Sequence, residues 1–328
     1  MSTILAVDGG NSKTDVALVG DDGAVLGYVR GPQASPDHLG VDGSLDELQR
    51  LVDAVGGHAD LAVLLLAGLD FPDEEEAYRA RAEPRGWAAR TILGNDTFAV
   101  LRAGSERGWG VAVTCGAGIN CVGVSPDGRH VRFPSLGVIS GDWGGGLDVG
   151  MAAVSAAARS EDGRGPRTSL ERLVPAHFGL ETPTELARAL LRGQVATRDV
   201  GGLAPLVFEA AVGDAVAGEI VDRLAAEVVT MARAALTRLD LTEEPVDVVL
   251  GGGLLRSGNV RLLDGVRAGM SEVGPALSVH LSASPPVVGS ALLGLDELGA
   301  DAEAHERVRR ELGEAVARIE TRETAPSL

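Results

Sequence analysis

The chain contains one short pattern twice: an apolar strand, a glycine-rich turn and a second apolar strand. The first copy is AVDGGNSKTDVALV (residues 6–19), and the second is GVAVTCGAGINCVGV (residues 110–124). When the copies are aligned, the second turn is one residue shorter. Either copy alone predicts no more than a β-hairpin, because glycine tolerates the backbone angles of tight turns. Two copies about a hundred residues apart predict a duplicated α/β unit, which constrains the whole fold.

The segments around the two hairpins have the periodicities of an α/β protein. A third strand follows the first hairpin as in a meander, and apolar residues at helical spacing then predict a helix through Leu45, Leu48, Leu51 and Val52. Continuous apolar runs predict strands buried on both faces at LAVLLLAGL and RTILGND. Further helices are predicted at 74–83, 97–103 (helix or turn), 218–239 and 302–320. Residues 158–168 are predicted to form a loop, and VDVVLGGGLLRSGN contains a third glycine turn.

The length of 328 residues predicts two domains, because a single core seldom grows to that size. We expect the first domain to span residues 1–104 and the second to span 105–297. The C-terminal segment 298–328 is expected to form a helix that packs back on the first domain.

Composition excludes several classes of partner. The formal net charge of −18 repels nucleic-acid backbones, and no apolar run approaches the ~20 residues that a membrane helix needs. The chain enters a strand at once without a signal-like segment, so we expect a cytoplasmic protein. Two cysteines and six histidines without ligand spacing make a structural zinc site improbable.

The glycine turns, taken together, resemble those of the superfamily that contains actin, hexokinase and the heat-shock chaperone ATPases. Within it the chain is similar to the N-acetylglucosamine kinase branch, the BadF/BadG/BcrA/BcrD ATPase family. The resemblance covers nearly the whole chain and is carried by VDGGNSKT, GND, CGAGINC, SGDWGGG and LGGG. It implies an α/β, two-domain actin-like ATPase (ribonuclease H-like) fold with an interdomain cleft for nucleotide and sugar. Two departures concern the sugar: Trp-Gly-Gly follows Asp142 where animal kinases have Glu-Gly-Ser, and the family's Asn-His is replaced by Asp37-His38.

Backbone N–H groups of glycine turns can point together at an anion, so the turns are candidate phosphate sites as well as simple turns. Lys13, the one lysine of the chain, could neutralise phosphate charge. Asp8 ends a buried strand, where it either starts a turn or orients Mg²⁺ through water. The expected ATP and phosphate ligands are Gly9, Gly10, Asn11, Ser12, Lys13, Thr14, Gly116, Ala117, Gly118, Gly251, Gly252 and Gly253.

Asp96 follows a buried strand and is the predicted catalytic base, since phosphoryl transfer needs the sugar hydroxyl oriented and relieved of its proton. Its alternative role is that of a helix N-cap. Asp142 either binds sugar hydroxyls or is a turn acid, and Trp143 either stacks on the sugar or fills a hinge. The resemblance gives as substrate ligands Asp37, His38, Asn95, Asp96, Ile119, Asn120, Ser135, Leu136, Gly137 and Asp142.

Three functions are candidates. The leading one is an ATP- and Mg²⁺-dependent kinase that phosphorylates N-acetylglucosamine at the 6-hydroxyl, or another hexosamine such as glucosamine or N-acetylmuramic acid. The second is an ATPase activator of a 2-hydroxyacyl-CoA dehydratase or benzoyl-CoA reductase, which would need an iron–sulfur cluster. Cys115 and Cys121, however, are predicted to be small buried residues of the second hairpin. The third is a sugar-sensing repressor. It is not favoured, because repressors on related sugar-kinase folds carry an N-terminal helix-turn-helix, whereas this chain starts directly in its first predicted strand. The expected partner is a small-molecule sugar, with no nucleic acid and no membrane, and the resemblance implies a homodimer.

Overall fold

The computed structural model describes residues 2–324, and for residues 323 and 324 it describes only the backbone. Strands and helices alternate through the first part of the chain. They are β1 (Thr3–Gly9), β2 (Lys13–Gly20), β3 (Val25–Pro32), α1 (Pro36–Val55), β4 (Ala59–Leu66), α2 (Pro72–Ala82), β5 (Ala88–Gly94), α3 (Thr97–Gly104), β6 (Gly110–Cys115), β7 (Ile119–Val124) and β8 (His130–Arg132).

The second part is richer in helices. Its elements are α4 (Gly145–Glu161), α5 (Leu170–His177), α6 (Pro183–Leu191), α7 (Ala204–Ala210), α8 (Ala215–Arg238), β9 (Asp247–Gly251), α9 (Gly253–Arg256), α10 (Val260–Val273), β10 (Ser278–Leu281), α11 (Pro286–Leu298) and α12 (Ala302–Thr324). The predicted loop at 158–168 was partly wrong, because α4 continues to Glu161.

The two sheets have the same topology. Sheet 1 has the order β3-β2-β1-β4-β5, and sheet 2 has the order β8-β7-β6-β9-β10. In each sheet the first strand of the hairpin is therefore central, with its hairpin partner on one side and a later strand on the other. This repeat confirms the duplicated α/β unit. The predicted difference in turn length was wrong, since three residues separate the two strands in both hairpins.

The chain divides into two compact units. Unit 1 comprises residues 1–112, 124–133 and 282–328, and unit 2 comprises residues 113–123 and 134–281. These limits differ from the predicted boundaries at 104/105 and 297/298. The physical reason at the second boundary is α11, whose apolar residues pack on sheet 1 and whose Ser290 hydroxyl donates to the Val7 carbonyl at 2.9 Å. The last four residues of the predicted C-terminal helix lie outside the described residues.

The strands β1, β2 and β4 of sheet 1 are buried on both faces, as the run LAVLLLAGL predicts for β4. The same prediction for RTILGND was wrong over most of its length, because β5 lies at the sheet edge and buries only Leu93 and Gly94. Alternate residues of β1 point to opposite sides, so Ile4 and Ala6 join one cluster while Leu5 and Val7 join the other. The first cluster is completed by α11 and α12, and the second by α1 and α2. With both faces covered, only the strand ends of this sheet are left to form a site.

Unit 2 is built on long helices, of which α8 buries a stripe that includes Ile220, Leu224 and Val228. Within residues 2–324 no single helix is long and apolar enough to cross a membrane. The segments Thr197–Ala210 and Ala215–Arg238 meet the length and composition of a span only as a pair, and they are bent by 112°.

Candidate active site

The candidate site of unit 1 lies where three neighbouring parallel strands end. In sheet 1, β4 runs parallel to β1 and to β5, so their carboxyl ends share one edge. Asp8 is the penultimate residue of β1, and the first glycine turn follows that strand. Asp70 follows β4, and Asp96 follows β5. Ala67 N–H donates to the Gly9 carbonyl at 2.8 Å and extends the pairing beyond the strands. Ligands of α/β proteins bind at such an edge.

The first turn leaves donors without acceptors. Gly10 N–H donates to the Lys13 carbonyl at 3.0 Å, which closes the turn. Among the described residues no acceptor is found for the N–H groups of Asn11 and Ser12. The Thr14 hydroxyl is fully buried and likewise has no partner in the described part of the chain. Free N–H groups and an orphaned hydroxyl fit a bound phosphate, whereas the Lys13 ammonium pairs with Glu320 at 3.3 Å.

A row of charged residues crosses three strands of sheet 1. The strand registers place Asp8 opposite Asp15 and Asp15 opposite Arg30. The Arg30 guanidinium binds both Asp15 carboxylate oxygens, at 2.7 and 3.1 Å, and the pair is almost completely buried. Tyr28 donates a further hydrogen bond of 2.7 Å to Asp15.

Asp8 has no such partner: no hydrogen bond reaches its carboxylate from the residues described. Burial raises its pKa well above the usual range, and the charges of Asp15 and Asp96 raise it further, while Lys13 and Arg30 oppose that shift. A carboxylate that is buried without a hydrogen-bond donor is suited to act as the ligand of a cation. Within residues 2–324 no group of three or more acidic, histidine or cysteine side chains could hold a metal ion.

Asp96 stands at the N-cap position of α3, yet its side chain makes no capping hydrogen bond. The preceding residue takes that role, because Asn95 Oδ1 accepts from Thr97 N–H at 2.9 Å. Burial raises the pKa of Asp96 to about 6, although hydrogen bonds from Thr97 oppose the shift. The Asp96 carboxylate therefore makes no N-cap hydrogen bond to α3. With a pKa of about 6 it can accept a proton near neutral pH, as a general base must.

Asp37 and His38 lie in the first turn of α1, just before a break at Gly40, whose φ of 68° and ψ of 167° are not helical. Both side chains are exposed. Although the residue as a whole is exposed, partial burial of the carboxyl raises the pKa of Asp37, as does the charge of Glu74, while His38 opposes this shift. The Asp37 carboxyl lies against Gly68, where an added Cβ would stand 2.5 Å from it. The structure thus brings Asp37 to the strand edge that carries Asp70, whereas no contact defines a role for His38.

The second glycine turn, in unit 2, repeats the first. Gly116 N–H donates to the Gly118 carbonyl at 2.9 Å, and no acceptor for Ala117 or Gly118 N–H is found among the described residues. The turn is fixed to the start of α4, because Gly146 N–H donates to the Gly116 carbonyl at 2.8 Å. A Cβ built on Gly118 would meet open space, so protein packing does not explain this glycine. A phosphate approaching the turn would explain it.

The third turn is explained in part by packing. Gly252 has a φ of 86°, and a Cβ there would stand 2.4 Å from the Cys115 carbonyl. Gly253 has open space instead, and Gly251 is the buried last residue of β9. Of the three glycines, Gly252 is thus required by the fold, and Gly253 is the one with room for a nucleotide.

The predicted sugar loop of unit 2 is a hydrogen-bonded turn. Asp142 N–H donates to the Gly137 carbonyl at 2.9 Å, and the Ser140 hydroxyl hydrogen-bonds the Asp142 carboxylate. Ser140 Oγ also accepts from Leu136 N–H at 2.8 Å. Ser135, with a φ of 56°, donates to the Ile119 carbonyl at 2.5 Å. The turn therefore fixes Asp142.

Two neighbours of this loop differ in what they offer a ligand. Asn120 Oδ1 accepts from Cys121 N–H at 2.7 Å, and Ile119 is buried, so any contact of Ile119 with a ligand would be made by its backbone. The Trp143 ring lies under the guanidinium of Arg223 at 3.9 Å. That contact was missed from the sequence, because 80 residues separate the two positions.

The prediction for the cysteines is confirmed: Cys115 and Cys121 are free and buried, and burial raises both pKa values, that of Cys115 to about 12.

Sequence reasoning also missed Asp70. Its Oδ1 accepts from Asn95 Nδ2 at 2.8 Å. Burial raises the pKa of Asp70 to about 7, and the charges of Asp37, Asp96 and Glu74 add to this while Arg132 opposes it. The signal was present, because Asp70 follows the buried strand LAVLLLAGL just as Asp96 follows RTILGN.

The repeated sheet topology and the paired glycine turns define a protein of the actin-like ATPase fold, the fold of the sugar kinases among its structural relatives. The sequence pattern of the BadF/BadG/BcrA/BcrD ATPase family matches residues 5–294, and the chain belongs to that family. An N-acetylmuramic acid/N-acetylglucosamine kinase of Clostridium acetobutylicum is 28% identical over 269 residues, which are 79% of this chain and 87% of that protein.

More distant relatives cover most of the chain as well. An N-acetyl-D-glucosamine kinase of Dictyostelium discoideum is 22% identical over 311 residues, 89% of this chain and 97% of that protein. The crystal structure of a provisionally assigned N-acetylglucosamine kinase from Chromobacterium violaceum superposes with a TM-score of 0.69 at 24% identity, over 89% of this chain and 99% of that chain. At this identity the superposition shows the shared fold.

Proposed function

We propose that this protein is an ATP-dependent amino-sugar kinase that transfers the γ-phosphoryl group to the 6-hydroxyl of N-acetylglucosamine. The observation that carries the proposal is the Asp96 carboxylate, which follows β5, caps no helix and has a pKa of about 6. A base of that strength can accept the proton of a sugar hydroxyl late in phosphoryl transfer. The names of the relatives support an amino sugar as acceptor.

The phosphate-binding roles rest on the free donors. The N–H groups of residues 11, 12, 117 and 118 are proposed to bind phosphate oxygens, with the Thr14 hydroxyl and Lys13 as further ligands of the first turn. Mg²⁺ would neutralise charge on the phosphates, and Asp8 is the residue that would hold it through water. In unit 2, Asp142 is proposed to bind sugar hydroxyls, and the hydrogen-bonded turn around it fits that role.

The ATPase-activator alternative needs cysteines that can reach an iron–sulfur cluster. Cys115 and Cys121 are fully buried, and their raised pKa values disfavour the thiolate form that ligates iron. Both observations support the kinase instead. A cytoplasmic location, a homodimer and the choice among hexosamines stay predictions of this proposal.

The test is ADP release from Mg-ATP with a panel of hexoses and amino sugars, for the wild type and for Asp96→Ala. Release that requires N-acetylglucosamine and is lost in the variant would support both the kinase and its base. Release that needs no sugar and survives the substitution would refute the kinase and favour the ATPase. Release with another hexosamine alone would retain the base and change the substrate.

A further inference from the structure

Asn95 links the two loops that carry acids at the edge of sheet 1. It is 2% exposed, and its amide group has a different partner at each end. Oδ1 accepts from Thr97 N–H at 2.9 Å, and Nδ2 donates to Asp70 Oδ1 at 2.8 Å. A backbone N–H can only donate and a carboxylate in this contact accepts, so the amide has one satisfied orientation. Asp96 lies between the two anchored residues, Asn95 and Thr97.

Asp70 is itself held in place. Glu74 Oε2 accepts from the backbone N–H groups of Asp70 and Phe71, at 3.0 Å each, and so fixes the loop to the start of α2. The next residue, Glu75, pairs with Arg132. The parallel register of β4 and β5, with Leu65 opposite Gly94, brings the loop after β4 alongside the loop after β5.

A carboxyl group at this position is costly. Asp37, Asp96 and Glu74 all raise its pKa by charge, in addition to burial. An acid held at this cost beside the Asp96 loop points to a functional role, and the hydrogen bond from Asn95 Nδ2 to Asp70 Oδ1 is the contact through which it acts.

We propose that Asp70 is a positioning residue for phosphoryl transfer: through Asn95 it fixes the peptide that carries the Asp96 carboxylate, and so aims that carboxylate at the acceptor hydroxyl. This inference rests on the proposed function, in which Asp96 is the base. Small errors in the placement of a catalytic group cost about 10²-fold in rate, whereas they change substrate affinity little. Removing Asp70 should therefore lower kcat and leave KM nearly unchanged.

The experiment measures kcat, and KM for ATP and for the sugar, in Asp70→Ala, Asp70→Asn, Asn95→Ala and the double variant. We expect a 10- to 100-fold loss of kcat in Asp70→Ala, with both KM values within about threefold of the wild type. Asp70→Asn should recover most of the rate, because its amide oxygen can accept from Asn95 Nδ2. The double variant should be no slower than Asn95→Ala, since both changes break the same link.

Asp60 provides the matched control. It lies at the opposite end of β4 and accepts from Thr3 N–H at 2.8 Å, so Asp60→Ala also removes a carboxylate bonded to the strand network. We expect its kcat to equal that of the wild type. Thermal unfolding and sugar binding in the presence of a non-hydrolysable ATP analogue establish that each variant is folded and binds.

The outcomes separate the two proposals. Loss of activity in Asp96→Ala, together with an unchanged kcat in Asp70→Ala, would overturn the role of Asp70 alone. That role would also be overturned if Asp70→Asn were as slow as Asp70→Ala, or if the effects of Asp70→Ala and Asn95→Ala were additive. A wild type that phosphorylates no sugar would instead overturn the proposed function.

Discussion

Replacing Asp96 by asparagine should make the protein more stable while it lowers kcat by orders of magnitude. Burial raises the pKa of this carboxyl from its usual 3.8 to about 6. The folded protein thus binds the proton more tightly than the unfolded chain, and ionisation opposes folding. At a pH well below the usual pKa the group is neutral in both states and costs nothing. The cost grows as the pH rises to about 6 and is complete above that.

The magnitude follows from the same pKa. A rise of this size corresponds to about 3 kcal/mol at pH 7.5 and to about 1.5 kcal/mol at pH 5. Asparagine has nearly the shape of aspartate and carries no charge at any pH, so the free energy of unfolding of the variant should exceed that of the wild type by these amounts. For a cooperative unit of roughly 150–250 residues, the size range of unit 1, the gain at pH 7.5 corresponds to a Tm increase of roughly 6–12 °C. Loss of the base should lower kcat by roughly 10²- to 10⁴-fold.

Thermal unfolding of the ligand-free protein, followed by circular dichroism at pH 5.0 and pH 7.5, measures the effect. Asp127→Asn is a control of opposite sign, because hydrogen bonds from Ser125 and Arg129 lower the pKa of this exposed carboxyl to about 2. It should gain no stability at pH 7.5. The reasoning about Asp96 is refuted if its variant is no more stable than the wild type at pH 7.5, or if the gain is the same at both pH values.

Substitutions at Gly118, Gly252, Arg30 and Thr14 test other contacts. Gly118→Ala should leave the free energy of unfolding within about 0.5 kcal/mol of the wild type and raise KM for ATP roughly tenfold. Gly252→Ala should instead cost at least about 2 kcal/mol of folding free energy, because the residue has a φ of 86°. Urea unfolding and steady-state kinetics distinguish the two variants. Arg30→Met should cost roughly 3–5 kcal/mol, because it leaves the buried Asp15 charge without its cationic partner, and adding Asp15→Leu should recover most of this cost. A double variant as unstable as the single one would contradict this. Thr14→Val should stabilise the ligand-free protein by about 1 kcal/mol and weaken ATP binding about tenfold or more, as calorimetry can measure; unchanged ATP affinity would remove the hydroxyl from the site.

The features that sequence predicts well here are local. A hairpin needs only two apolar runs and a glycine turn, and the ends of buried strands are visible as acids that follow apolar runs. For that reason the strand–turn–strand units were located correctly, and Asp8 and Asp96 were found at strand ends. Asp70 obeys the same rule and was overlooked because no motif drew attention to it.

The features that sequence could not provide depend on register or on distant contacts. The row from Asp8 through Asp15 to Arg30 exists only because β1, β2 and β3 pair in one register. Since a shift of one residue reverses which face a side chain occupies, spacing along the chain does not reveal such a row. The stacking of Trp143 on Arg223 is similarly set by the packing of unit 2.

The division of unit 1 into separate stretches of chain has a consequence during synthesis on the ribosome. All five strands of sheet 1 emerge within the first 94 residues, yet one face of that sheet is covered by helices that begin only at Pro286 and Ala302. Until those helices emerge, Ile4, Val63 and Leu65 lack most of their apolar cover, since α3 is the one helix of that cluster made early. Most of unit 2 is the continuous stretch 134–281, which is synthesised in the interval. The unit whose strands are made first therefore completes its core last, and its nascent sheet is the part of the chain most in need of a chaperone.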